Sequence, residues 1–152
     1  MLIIKTIEGF KQVVAPDIDI YEYATATGGT VMDDSEFVEP PKTEEQIKAD
    51  IAARRYEAEV GGIVVREVFV DTDRDSQALI TGAAVSAMLD STYVCRWKTP
   101  DGFVSFSSTA LISIAQQVRA HVQSCFDRED TLLMALEGGT YDESMLQEGW
   151  PT

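Results

Sequence analysis

The sequence is poor in the residues that most often build catalytic and metal sites. It has one histidine, His121, and two cysteines, Cys95 and Cys125, which lie far apart in the chain. The cysteine spacing matches neither a disulfide framework nor a metal site, so we expect two buried free thiols. A lone histidine beside an apolar helix face is typical of a packed, hydrogen-bonded residue.

Recognisable catalytic motifs are also missing. The sequence has no phosphate-binding loop, no dinucleotide-binding fingerprint and no Gly-x-Ser-x-Gly motif. We therefore predict that the protein is not an enzyme, and we assign no catalytic, cofactor-binding or metal-ligating residues.

Long apolar runs are absent as well. No run approaches the ~20 residues that a membrane-spanning helix needs. The N-terminus has no basic stretch followed by a long apolar core, so we expect no signal peptide. The sequence predicts a soluble protein without a membrane partner.

Basic residues are scarce, and the acidic excess lies at the two ends of the chain. The net charge is −14, which would repel the phosphates of a nucleic acid. Residues 1–41 hold eight acids and two bases, and residues 127–152 hold seven acids and one base. Residues 42–126 are almost balanced. The acidic ends favour a basic partner surface, or they serve solubility alone.

The hydrophobic pattern predicts an α+β protein, with a short N-terminal β segment and then a small body of three helices and two β-hairpins. Residues 1–39 form the β-rich attachment segment, and a proline pair marks residues 40–43 as a linker. Residues 44–138 form the α+β domain, and residues 139–152 form an acidic tail.

Short strands are predicted in the attachment segment at residues 2–7, 13–14 and 18–23, where apolar and β-branched residues run or alternate. Two or three such strands are marginally stable alone. The segment is therefore expected to pair with the rest of the chain, with another copy or with a partner.

The body shows helical spacing over residues 43–61, 75–90 and 108–138, and hairpins around residues 66–67 and 99–102. The apolar face of the second helix is predicted to contain Leu79, Ile80, Ala83, Ala84, Ala87 and Met88.

One acidic cluster resembles the first half of a calcium-binding loop, because Asp71, Asp73 and Asp75 alternate. Such a loop needs glycine at its sixth position and glutamate at its twelfth. The sequence has Ser76 and Gly82 there. The cluster therefore predicts a strand end followed by an aspartate-capped helix.

Four blocks of sequence carry a resemblance to a known family. They are Arg-Arg-Tyr-Glu-Ala-Glu at 54–59, Asp-Thr-Asp-Arg-Asp-Ser-Gln-Ala-Leu-Ile-Thr-Gly-Ala at 71–83, Trp-Lys-Thr-Pro-Asp-Gly-Phe at 97–103 and Val-Arg-Ala-His-Val-Gln-Ser-Cys-Phe at 118–126. Through them, residues 54–137 resemble a domain of uncharacterised function that recurs in bacteriophage tail proteins. The preceding segment is similar to tail-fibre assembly and accessory proteins. The resemblance implies a phage origin and a place near the tail fibres or baseplate, and it supplies no catalytic residues.

The resulting functional hypothesis is a bacteriophage tail structural or accessory protein. It would be a virion component at the junction of fibre and tail tip, bound to a tail-fibre or baseplate protein and present in several copies of a symmetric assembly. It would reside in the virion tail, and in the host cytoplasm during assembly. The alternative is a tail-fibre assembly chaperone that acts in the infected cytoplasm. An enzyme that degrades glycan or cell wall is a third hypothesis.

Partner-binding residues are predicted at both ends of the chain. Leu2 and Ile4 belong to a strand that would add to a partner sheet. The anchors that would dock in a partner groove are Tyr141, Met145, Leu146 and Trp150.

Overall fold

The computed structural model describes residues 1–151. The chain forms two compact units, Met1–Thr43 and Glu44–Thr152, which we call unit 1 and unit 2. The division falls at the end of the segment 40–43 that the sequence marks as a linker. The fold is α+β, as predicted, and its strands form three small antiparallel sheets. Among the described residues, no helix is long and apolar enough to cross a membrane.

Unit 1 is built on a three-stranded sheet. Strands β1 (Leu2–Lys5), β2 (Lys11–Gln12) and β3 (Thr30–Asp33) pair antiparallel in the order β2-β1-β3. Ile3 and Ile4 in the central strand are fully buried. Helix α1 (Ile20–Thr27) connects β2 to β3, and a 3-10 turn at Asp34–Glu36 follows β3.

The strand predicted over residues 18–23 is wrong, because this part of the chain begins helix α1. The Asp19 carboxylate accepts hydrogen bonds from the backbone N–H groups of Tyr21 and Glu22, so it caps the helix. Gly28 ends the helix in the left-handed conformation with φ 72°. These two caps outweigh the short alternation of apolar and polar residues on which the prediction rested.

Unit 2 contains the three helices and two hairpins that the sequence predicts. The helices are α2 (Glu44–Val60), α3 (Arg74–Leu89) and α4 (Ser108–Glu137). Strands β4 (Ile63–Val65) and β5 (Val68–Val70) form the first hairpin, and β6 (Val94–Thr99) and β7 (Gly102–Ser107) form the second. A 3-10 helix at Glu143–Gln147 follows α4. Helix α4 packs against both α2 and α3.

Two apolar clusters form the core of unit 2. One joins the first hairpin to α3 and the first half of α4, and it contains Ile63, Val65, Val70, Ile80, Ile114 and Val118. The other joins α2, the second half of α4 and the C-terminal segment, and it contains Ile51, Leu132, Leu146 and Trp150. The long α4 is therefore buried along both halves, which explains its strong apolar periodicity.

Helix α3 differs from the prediction at its start and on its surface. It begins at Arg74 rather than at residue 75, because Asp73 accepts the capping hydrogen bond from the Ser76 N–H. Leu79 and Met88 are 65% and 73% exposed, although they were predicted to be buried. The buried positions of α3 are Ile80, Ala84 and Ala87. Packing against one side of a helix covers a limited stripe, and the apolar residues of α3 extend beyond it.

Candidate functional site

The N-terminal residues predicted to bind a partner lie in the centre of a sheet. Strand β1 pairs with β2 on one side and with β3 on the other. Ile4 is fully buried, whereas Leu2 is about half exposed. The prediction that β1 adds to a partner sheet is therefore wrong. The hydrogen bonds of β1 are already made with β2 and β3 of unit 1. The outer edges of this sheet belong to β2 and β3.

The C-terminal anchors lie in the core of unit 2. Leu146 and Trp150 are buried against Ile51 and Leu132, and Tyr141 and Met145 are partly buried on the same cluster. Arg128 of α4 fastens the segment, because its guanidinium donates to the carbonyl oxygens of Met145 at 2.8 Å and Glu148 at 3.0 Å. Within the acidic tail expected over residues 139–152, residues 141–150 are thus packed against the rest of unit 2. A role for these side chains in binding a partner stays a prediction, and the structure does not present them as free anchors.

The polar interior of unit 2 is organised by a cluster that we call the Arg55–Glu59 cluster. Glu59 is only 3% exposed, and its carboxylate pairs with the Arg55 guanidinium one helical turn away. Gln77 of α3 donates to the same carboxylate at 3.3 Å. Arg55 also donates to Glu129 of α4 at 3.1 Å, and its guanidinium lies 4.6 Å from the ring centre of Phe126. The cluster therefore ties α2 to both α3 and α4.

Backbone contacts surround this cluster. The buried hydroxyl of Thr72 donates to the Glu59 carbonyl oxygen at 2.6 Å and accepts from the Gly62 N–H at 2.9 Å. The His121 ring nitrogen Nε2 lies 2.9 Å from the Ala58 carbonyl oxygen. His121 is thus packed and hydrogen-bonded, as predicted. Three of the four blocks that carry the family resemblance, 54–59, 71–83 and 118–126, meet at this point.

The polar groups of the Arg55–Glu59 cluster are hydrogen-bonded to one another and to their neighbours. Among residues 1–151, every buried side-chain nitrogen and oxygen has a hydrogen-bond partner. In the same residues, no group of three histidine, cysteine, aspartate or glutamate side chains is placed to hold a metal ion. A fully satisfied buried network fixes how the helices pack.

The exposed surface of α3 is the most unusual feature of unit 2. Its outward side carries Ala78, Leu79, Gly82, Val85, Met88 and Leu89, all of them exposed, and we call it the α3 face. Val85 and Leu89 are 51% and 84% exposed. Large contiguous apolar patches on a protein surface mark binding sites for other proteins or ligands.

The α3 face is also free of charge. No charged residue occurs between Asp75 and Asp90, although a quarter of the whole chain is charged. A second uncharged stretch runs from Gly102 to Val118 and includes the first part of α4, which packs against α3. The charges of this strongly acidic chain are thus kept away from one helix surface.

Two shallow grooves border the α3 face. The one between α3 and α4 has a volume of about 710 Å³, and Val85, Met88 and Ile112 contribute to its apolar lining. The one between α3 and β6 has a volume of about 590 Å³, and its lining includes Leu79 and Trp97. Both grooves share lining residues with the α3 face.

Sequence reasoning missed this surface because it placed Leu79 and Met88 on the apolar face of α3 together with Ile80, and gave no role to Val85 and Leu89. The absence of charge between Asp75 and Asp90 was the available signal, since a half-exposed helix normally carries charged residues on its outer side. That stretch has enough apolar residues for an inner face and an outer face.

Unit 2 is thus a small α+β unit with a buried ion-pair network and an exposed, uncharged helix face. A family model described as "Domain of unknown function (DUF4376)" matches residues 42–146. The match covers more than half of the chain, so the protein belongs to this family. It begins just before α2 and includes Met145 and Leu146 of the packed C-terminal segment. No match was found among curated proteins or among solved structures.

Proposed function

We propose that this protein is a structural or accessory component of a bacteriophage tail that acts by binding other proteins, in several copies, near the tail fibres or baseplate. The observation that carries the binding function is the uncharged, exposed α3 face in a chain of net charge −14. The phage setting is supported by the resemblance of residues 54–137.

Energetic reasoning supports a partner on the α3 face. Burying a leucine or methionine side chain stabilises by roughly 1.5–3 kcal/mol relative to leaving it in water. Leu79, Met88 and Leu89 are each at least 65% exposed, so most of the stabilisation from burying them is not gained within unit 2. A protein partner that covers the face would recover it.

The acidic ends support a second, electrostatic contribution. Unit 1 contains residues 1–41, which hold eight acids and two bases. A basic surface on a tail-fibre or baseplate protein would be attracted to it, and this attraction raises the rate of association. Protein contact through the α3 face and attraction through unit 1 would thus serve different steps of assembly.

The test is to locate the protein during infection. Particles of the phage or prophage that encodes the chain are purified and analysed by mass spectrometry, and the tagged protein is captured from infected cells in parallel. We expect the protein in purified particles and a tail-fibre or baseplate protein in the capture. Absence from particles together with capture of a fibre protein would replace the proposal with the assembly chaperone.

A variant pair links this test to the α3 face. Leu89→Glu places a charge on the face, and Ser124→Glu places the same charge on an exposed position of α4. We expect Leu89→Glu to reduce incorporation into particles, whereas Ser124→Glu should leave it unchanged. Equal incorporation of both variants would contradict a binding role for the face.

A further inference from the structure

The exposed residues of α3 follow the spacing of a helix-pairing seam. Ala78, Gly82, Val85 and Leu89 are separated by four, three and four residues. This spacing is the heptad pattern by which one helix packs along another. All four residues are exposed, so the seam points away from the core of unit 2.

Gly82 is the second sign that another helix covers this seam. A glycine in a helix interior costs about 1 kcal/mol relative to alanine. Nothing in residues 1–151 requires it, because an added Cβ would meet no atom within 4 Å. Small residues in a seam let two helix backbones approach closely. No contact among the described residues accounts for Gly82.

We propose that the α3 face binds α3 of a second copy of this protein, with the two helices antiparallel. This inference rests on the proposed function in so far as the face is a protein-binding surface, and it names the occupant. Two-fold symmetry makes residue 78 of one copy face residue 89 of the other, and residue 82 face residue 85.

The sizes of the side chains fit this arrangement. The first half of the seam is small, with Ala78 and Gly82, and the second half is larger, with Val85 and Leu89. An antiparallel pair places each large residue of one copy over a small residue of the other. A parallel pair would instead place Leu89 on Leu89 and leave a gap between the two Gly82 residues.

The absence of charge between Asp75 and Asp90 lets a second copy approach the α3 face. Each copy carries a net charge of −14, so two copies repel each other wherever their acidic surfaces meet. The α3 face is a place where they can meet without opposing carboxylates.

The first experiment measures association of the full chain by sedimentation velocity over a wide range of protein concentration. We expect a monomer–dimer equilibrium. Val85→Glu combined with Leu89→Glu should weaken association by more than about a hundredfold, because it places carboxylates in an apolar contact. The melting temperature of the monomer should stay unchanged, since both side chains are exposed. Ser124→Glu, the matched control, should dimerise like the parent chain.

The second experiment tests the direction of the helices by disulfide formation in a Cys95→Ser background. Ala78→Cys chains are mixed with Leu89→Cys chains and oxidised. We expect a mixed disulfide between the two variants. Disulfides that form only between identical variants would overturn the antiparallel pairing.

A monomer at every concentration, or a dimer that persists in the double glutamate variant, would overturn the proposal. A monomer that still captures a tail protein would overturn the dimer and leave the proposed function standing. A dimer that is absent from particles and captures no tail protein would support the antiparallel pairing and overturn the proposed function.

Discussion

The indole N–H of Trp150 donates a hydrogen bond of 2.7 Å to the carbonyl oxygen of Leu146, and both side chains are buried in the core of unit 2. The Arg54 guanidinium lies 5.5 Å from the centre of the same indole ring. Helix α2, the second half of α4 and the C-terminal segment therefore share one apolar cluster. The last residues of the chain contribute to the stability of the domain.

Deletion of residues 140–152 is expected to destabilise unit 2, because it uncovers Ile51 and Leu132. The single change Trp150→Ala should cost about 3 kcal/mol, as large-to-small changes of buried aromatic residues do. Urea unfolding followed by circular dichroism gives the free energy of unfolding. Gln147→Ala, at an exposed position of the same segment, is the control and should have little effect. An unchanged midpoint for Trp150→Ala would contradict the packing of the segment.

The sequence predicts the body of this fold well and its surface poorly. Helix α4 and the hairpin at residues 99–102 were predictable because their local signals are strong: apolar periodicity in the helix and a proline-containing turn in the hairpin. Helix α1 was not, because the short alternation in residues 18–23 resembles a strand while Asp19 and Gly28 act as helix caps. A short segment can carry both the alternation of a strand and the caps of a helix. Its packing against the rest of unit 1 decides which of the two forms.

The candidate site was unpredictable for a different reason. Apolar spacing reveals which residues can be buried, but α3 has two apolar sides, and its neighbours within unit 2 cover only one of them. Ile80 and Leu79 are adjacent and both hydrophobic, yet Ile80 is 3% exposed and Leu79 is 65% exposed. The position of α4 decides which of them is covered, and this tertiary information is absent from local sequence.

The Arg55–Glu59 pair should be sensitive to loss of one partner. Glu59→Ala leaves the buried Arg55 guanidinium with Glu129 alone, and removal of one partner from a buried ion pair typically costs about 3–5 kcal/mol. We expect a loss near 3 kcal/mol, measured by urea unfolding, because Glu129 compensates in part. Glu57→Ala is the matched control on the same helix. The Glu57 side chain is 71% exposed, so its loss should cost less than about 1 kcal/mol.

The Asp73 cap of α3 predicts a pH dependence. Hydrogen bonds from the backbone N–H and the hydroxyl of Ser76 lower the pKa of Asp73 below its ordinary value. The stability that the ionised cap contributes is therefore complete above the unfolded-state pKa of about 3.9, and it is lost as the pH falls through the folded-state pKa.

The measurement is the difference in melting temperature between the parent chain and Asp73→Ala at several pH values. It should be constant from neutral pH down to about pH 5 and should shrink in more acidic solution. Ser76→Ala removes one of the two donors, so it should raise the pKa of Asp73 in an NMR titration. A difference that grows on acidification would contradict the capping role.

The two cysteines should react at very different rates in the native protein. Cys125 is fully buried in α4, and burial raises the pKa of its thiol, so few thiolates are present and none is accessible. Cys95 is partly exposed in β6. With an aromatic disulfide reagent at neutral pH, we expect one fast thiol per chain, and two after denaturation. Cys95→Ser should abolish the fast reaction, whereas Cys125→Ser should leave it intact. Cys125 is expected to become accessible when α4 separates from α2. Trp150→Ala should therefore speed the reaction of Cys125, whereas Gln147→Ala should not. A fast reaction of Cys125 in the parent chain would contradict the packing of α4.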